Sequence, residues 1–309
     1  MTRNSFIVLL ALVPLLAISS VAQALANRVF VSQRSGNDSN ACNNILTPCQ
    51  TFAGAVLQLN PGGEAIVLDS GGYGPVTITG AVTIDAPAGV TAFIHPPSGD
   101  AITVNAGSGV VTLRGLVLNG GTGNGITVNS VGTLNVENCF ITGFTNFGIQ
   151  LASAGLLNVK GTDITGCYVG IELDGSAGLR RVSIDHCHLD GNSGGFRAET
   201  TSPGSSSTVA TYTTANDNLF DGWICGDGTT GKDVLDLEFC TGSGDYYGLV
   251  TDSTNAASAT YLSNCVFANN VNFGVESAGA GSVSTRGNNT GAGNGSGATG
   301  GTIGSFTGF

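Results

Sequence analysis

Gly125-Ile126-Thr127-Val128, Gly148-Ile149-Gln150-Leu151 and Gly170-Ile171-Glu172-Leu173 are three copies of one phrase. Each is a glycine, an apolar residue, a variable residue and a second apolar residue. Weaker copies follow as Gly195-Phe196-Arg197-Ala198, Gly248-Leu249-Val250-Thr251 and Gly274-Val275-Glu276-Ser277. The interval is 22 to 27 residues, doubled once between Gly195 and Gly248. A unit this short cannot bury a core by itself, so the copies must stack on one another. The apolar positions alternate with period two, which makes the stacked elements strands.

Each phrase is followed by a second alternating pair: Leu134 and Val136, Leu157 and Val159, Val182 and Ile184, Leu235 and Leu237, Thr260 and Leu262. Three residues on stands a small or polar side chain, in turn Cys139, Thr162, Cys187, Cys240 and Cys265, with Asn218 and Asn288 expected to continue that ladder. A third apolar site follows at Ile141, Ile164, Leu189 and Phe267, with Phe220 as its poorer continuation. Three short strands per coil, each with one inward face, describe an all-β, right-handed, single-stranded parallel β-helix. Like residues then stack at about 4.8 Å, and the handedness follows the general rule for parallel crossovers. A sandwich would not keep three ladders in register, and 49 glycines argue against helices.

Residues 1–26 have the form of a signal peptide: Arg3, the apolar run Phe6 to Ile18, and small-x-small cleavage sites at Ala22-Gln23-Ala24 or Ala24-Leu25-Ala26. The run is shorter than the roughly 20 residues of a membrane span. The expected product is a secreted, periplasmic or extracellular protein with no membrane span after cleavage. Residues 27–64 are expected to cap the solenoid, with a helix at Thr51 to Leu59; residues 65–290 form the β-helix, and 291–309 a Gly/Ser/Thr-rich, loosely ordered tail. Within the solenoid, Thr200 to Thr208 is expected to protrude as a loop.

The chain carries 21 Asp and Glu against 10 Lys and Arg, a formal charge of −11. Nucleic acid is thereby excluded as a partner, because binding its backbone needs clustered positive charge. An acidic glycan is disfavoured unless Ca²⁺ bridges it or a local Arg patch overrides the field; neutral glycans meet no such penalty. Export makes a Cys42–Cys49 disulfide feasible. Cys139 and Cys187 lie two coils apart, too far to bridge. Cys240 and Cys265 occupy adjacent coils, as a thiol stack or a bridge. No residues have metal-ligand spacing: the ladder turns Cys187 inward and His186 and His188 outward.

The two-cysteine entry loop, the Thr51-Phe52-Ala53-Gly54-Ala55 helix and the Gly-rich first coil, Cys42 to Ile84, resemble secreted bacterial right-handed parallel β-helix proteins of the pectin-lyase-like superfamily, largely without assigned function. The resemblance spans nearly the whole chain after residue 26. Val182-Ser183-Ile184-Asp185-His186-Cys187 is similar to a Trp-Ile-Asp-His-Cys segment of pectate lyases, with Ser183 in place of Trp. The Asn-Thr-Asp, Asp-Asp, Gly-His-Gly and Arg-x-Lys motifs of polygalacturonases are missing.

In polysaccharide-acting members of that superfamily, substrate lies over a parallel sheet. The resemblance therefore directs attention to the outward positions of the glycine-phrase strand. Stacking sets Glu172 and Asp174 beside Arg197 and Glu199, with Gln150 and Asn129 on preceding coils as substrate-binding candidates. Close carboxylates raise one another's pKa, and an arginine among them holds the others ionised. Such a group is suited to general acid/base hydrolysis or, with Ca²⁺, to proton abstraction beside a uronate; it is equally a cross-strand salt-bridge ladder. Asp217, Asp221, Asp227, Asp233, Asp236, Glu238 and Asp245 are expected to form a solvated acidic face. Trp223 is expected in the core, and Tyr261 outward. The sequence thus points to a glycan-binding or surface module. A polysaccharide lyase or hydrolase and a structural adhesin are the alternatives, and ligand, metal need and oligomeric state stay open.

Overall fold

The computed structural model describes residues 25–306. The segment expected to be a signal peptide lies outside them except for Leu25 and Ala26. Each strand pairs in parallel with the equivalent strand one coil on, and three sheets of twelve, ten and five strands wrap one core. The twelve-stranded sheet runs from Ala26–Val31 to Ile303–Ser305 and the ten-stranded one from Val76–Ile78 to Gly297–Gly300. Among the ten are Phe147–Leu151, Val169–Gly175 and Gly194–Thr200, which carry the glycine phrase.

The five-stranded sheet ends at Asp163–Thr165 and is continued by single bridges through His188, Thr214, Thr241, Val266 and Thr290. Three full strands per coil are therefore not uniform along the solenoid. Backbone bonds such as Leu189 N to Thr214 O and Ala215 N to Thr241 O persist there, and side chains add to them. Asn192 Oδ1 accepts from Cys167 N, and Asp190 Oδ1 accepts from Asn216 N.

Interior rows follow the repeat. Ile102, Ile126, Ile149, Ile171, Phe196, Trp223 and Leu249 lie in one register and are all buried. Each contributes about 1.5–3 kcal/mol by leaving water. Trp223, in the core as expected, donates its Nε1–H to Thr241 O at 2.8 Å, so its one polar atom is satisfied.

A second interior column is made of carboxamides. Asn192 N donates to Asn218 Oδ1, Asn218 N to Asp245 Oδ1, Asp245 N to Asn270 Oδ1, and Asn270 N to Asn294 Oδ1, at 2.7–2.9 Å. Asn218 thus belongs here, and Thr213 takes the rung beside Cys187 instead. Likewise Asn289, not Asn288, accepts from Cys265 N. Phe220 is half exposed, so it leaves the apolar ladder, where buried Ala215 stands beside Leu189.

The N-terminal helix is shorter than the sequence suggests, Phe52–Val56, with Thr51 as N-cap accepting from Gly54 N at 3.0 Å. Leu59 already begins the strand Leu59–Val67. Cys42 and Cys49 are disulfide-bonded, and the other six cysteines are free and buried. The expected tail adds strands Gly297–Gly300 and Ile303–Ser305 to the two long sheets. Nor is Thr200 to Thr208 a protruding loop. Its end starts the strand Ser205–Thr211, and Thr200 and Ser206 hydroxyls point inward to buried Asp233 at 2.7 and 2.6 Å. Among the described residues, no helix is long and apolar enough to cross a membrane.

Candidate functional site

Register places Gln150 beside Glu172, Glu172 beside Arg197, and Asp174 beside Glu199. Arg197 Nε lies 2.9 Å from Glu172 Oε2 and 3.0 Å from Glu199 Oε1, while its Nη1 is 3.8 Å from Asp227 Oδ2. Gln150 donates through Nε2 to Asp174 Oδ2 at 2.9 Å and accepts from Asn124 Nδ2 at 2.8 Å. Asn129 does not join them. Pairing slips between Val128 and Ser130, and its amide turns to Asn105 Oδ1 at 3.0 Å.

Glu172 sits on the outer face of the sheet yet is only 1% exposed. Burial pushes its pKa up to about 8 against the pull of Arg197, with help from Glu199 and Asp174. Burial and the hydrogen bond shared with Asp227 take Glu199 to about 7, again against Arg197. Burial opposes the charge on Arg197, but Glu172 and Glu199 outweigh it and raise its pKa. Three carboxyl groups, Glu172, Glu199 and Asp227, thus surround one guanidinium, and burial favours the protonated form of Glu172 and Glu199. The expectation that arginine keeps its neighbours ionised fails at Glu172, where desolvation wins.

Beside this cluster opens a cleft of about 400 Å³. It arises from the residues just before each glycine of the phrase. Two places upstream stand Tyr168, Ser193, Phe220 and Tyr246; Phe220 N donates to Ser193 O, and Tyr246 N to Phe220 O. One place upstream the register is Val169, Gly194, Asp221 and Tyr247. Aromatic side chains therefore rise on either side of a coil that offers only Ser193 and Gly194. Arg197 Cζ lies 5.4 Å from the Tyr168 ring centroid, a cation–π contact that joins cluster to cleft. Asp221 lines the cleft, its pKa raised to about 6 by burial and by Asp227, against Arg197.

Tyr168, Phe220 and Tyr246 were missed as site residues because they belong to turns outside the period-two pattern, and Asp221 was read only as part of the acidic face. Their position two residues before Gly170, Gly222 and Gly248 is the sequence signal that marks them. The acidic stretch also divides: Asp233 and Asp245 are fully buried, and Asp221 and Asp227 line the cleft, so it is not one solvated face. His186 and His188 place Nδ1 on Asp185 and Asp163 respectively, with Cys187 inside. Among the described residues, no group of three or more His, Cys, Asp or Glu is gathered as a metal ion requires.

Three solved structures share the architecture. The pectate lyase Pel9A superimposes with a TM-score of 0.59 at 15% identity, over 86% of this chain and 76% of its own. An alginate lyase from Paenibacillus sp. str. FPU-7 gives 0.55 at 13% identity, over 90% and 100%. The GH136 lacto-N-biosidase from Eubacterium ramulus gives 0.50 at 10% identity, over 89% and 66%. At these identities the likeness is one of fold. No curated protein sequence matches the chain. The model of the right-handed beta helix region matches residues 51–213 and 100–302, and the chain belongs to that family.

Proposed function

We propose that this chain is a secreted glycan-binding protein whose polysaccharide lies in the cleft walled by Tyr168, Phe220, Tyr246 and Tyr247. The observation that carries the reading is the aromatic wall itself, interrupted at Ser193 and Gly194. Half-exposed rings around a gap present apolar faces to the C–H faces of a pyranose, and backbone and carboxyl groups at the rim supply acceptors for its hydroxyls. The lyase and hydrolase folds to which the chain is similar support the same direction. Glu172 is a structural partner of Arg197 in this reading, since its carboxyl is closed to solvent.

Hydrolysis is the second reading, favoured by one specific feature. Burial and Asp227, which lines the cleft, raise the pKa of Glu199 to about 7, which suits a general acid. Ca²⁺ would have to compete with Arg197 for Glu172 and Glu199. The test is a glycan panel with purified protein, with and without Ca²⁺, recording binding, new reducing ends and unsaturated-uronate absorbance. Binding that falls in Tyr168→Ala and Phe220→Ala supports the cleft, and turnover lost in Glu199→Gln establishes hydrolysis. Absence of binding across the panel favours the structural surface protein.

A further inference from the structure

Gly194 has no conformational reason to be glycine. Its backbone is not in the left-handed region, and an added Cβ would meet only Val169 Cγ2 at 3.6 Å and Asp221 O at 3.9 Å. Neighbouring phrase glycines differ. A Cβ at Gly170 would lie 2.6 Å from Gly195 O, and one at Gly222 2.7 Å from Gly248 O. Those two are required by close approach of the coils. What Gly194 provides is empty space, between the Tyr168 and Phe220 rungs and directly before Asp221 in the register.

The charge around that space is unbalanced. Arg197 is the cleft's one cation, and Glu172 and Glu199 already hold its Nε. Asp221 has no hydrogen-bond or ion-pair partner among the described residues, and Asp227, Arg197 and Glu276 are the charges it faces. Behind Arg197, the buried Glu172 keeps Oε1 without any partner. A uronate entering here meets like charge on Asp221 and Asp227. A neutral sugar gives Asp221 only hydroxyl hydrogen bonds, whereas an ammonium group adds an ion pair and gains cation–π attraction from Tyr246 and Tyr247.

Building on the glycan reading above, we infer that the cleft selects a polysaccharide of 2-amino sugars with free, protonated amines. One ring is seated over Gly194 with its ammonium on Asp221. The inference narrows the ligand class, and it can fail while glycan binding itself stands.

The experiment is calorimetric titration at pH 6 with chitotetraose, its fully N-acetylated form and tetragalacturonate, the last with and without Ca²⁺. Wild type, Asp221→Asn and Gly194→Leu are compared, each with its melting temperature. Chitotetraose is expected to bind at least about tenfold more tightly than the acetylated form. Asp221→Asn should remove that preference, weakening chitotetraose at least about tenfold more than the acetylated form. Gly194→Leu should abolish binding without lowering the melting temperature. Equal or tighter binding of the acetylated form, or preference for tetragalacturonate with Ca²⁺, overturns the amino-sugar inference and leaves glycan binding intact. Chitotetraose binding untouched by Asp221→Asn marks general adsorption to an acidic protein and also overturns it. If none of the ligands binds, the glycan reading falls with it.

Discussion

Arg197 Nε donates to Glu172 Oε2 at 2.9 Å from the neighbouring coil, and this is the one polar partner Glu172 has among the described residues. The pair is nearly shut off from water, with side-chain exposures of 16% and 1%. Removing the arginine strands a buried acid. Arg197→Ala is expected to destabilise the fold by about 3 kcal/mol at pH 9, where ionised Glu172 would be an uncompensated buried charge. The loss must grow with pH. Glu172 already titrates at about 8 in the folded chain, above its ordinary 4.5, and loss of Arg197 raises it further. Folding therefore favours the protonated acid in both proteins, and the variant's added penalty develops as pH climbs above about 8, where Glu172 beside Arg197 ionises and the stranded acid does not. Urea unfolding at pH 5 and pH 9 checks this: the variant should lose more at pH 9, and Glu172→Gln in the same background should recover most of that difference.

Asp245 occupies a carboxamide's place in the column Asn192, Asn218, Asp245, Asn270 and Asn294. Its Oδ1 accepts from Asn218 N like every other rung, but its Oδ2 and Asn218 Nδ2 are both unpartnered. Elsewhere in the column the Nδ2 group donates to a backbone carbonyl, as from Asn270 to Gly242 O and from Asn294 to Phe267 O. Burial raises the Asp245 pKa to about 8. The protonated form is thus favoured in the folded state, and its contribution declines as pH rises from about 4 towards 8. Asp245→Asn should stabilise the protein at pH 8 by about 1–3 kcal/mol, the cost of an unsatisfied buried polar group. The gain should shrink at pH 4, where the acid is protonated. Melting curves at the two pH values decide it.

The glycines divide by what surrounds them. Gly170→Ala drives a methyl to 2.6 Å from Gly195 O and is expected to cost about 1–3 kcal/mol through displacement of adjoining coils. Gly194→Ala meets nothing closer than 3.6 Å and should change stability by less than about 0.5 kcal/mol. Chemical denaturation of the two variants side by side tests the distinction on which the cleft's floor depends.

The Cys42–Cys49 bond closes a loop with a sequence separation of 7 residues. Cys49 lies where the chain bridges to Val31 at the first coil. Reduction or Cys42→Ser with Cys49→Ser should cost about 2–3 kcal/mol on the loop-entropy argument. The effect should be localised by hydrogen exchange to the entry loop and the Phe52–Val56 helix, leaving the central coils protected.

In-register stacking explains how much of the site was legible in the sequence. Once the glycine phrases are aligned, a parallel ladder has only one way to place Glu172 beside Arg197 and Asp174 beside Glu199. Three things escaped that logic. Asn129 follows a slip in pairing that no periodicity announces. Asn218 and Asn288 fall near the Cys/Thr ladder by counting, but coils of unequal length move Thr213 and Asn289 into those rungs. Thr200 and Ser206 have the composition of a loop, and only their contact with Asp233 reveals an inward face. The cleft was hidden for a different reason. Tyr168, Phe220 and Tyr246 are turn residues, so they carry no strand alternation and become a wall only when the coils are stacked.

The most direct test is a crystal structure of the protein with the tightest-binding tetrasaccharide from the glycan panel. A sugar ring over Gly194, flanked by Tyr168 and Phe220 and within hydrogen-bond reach of Asp221, is the expected result. A sugar seated elsewhere, such as on the stacked His186, Tyr212 and Phe239 rings that follow strands of the twelve-stranded sheet, with the cleft empty, would contradict it.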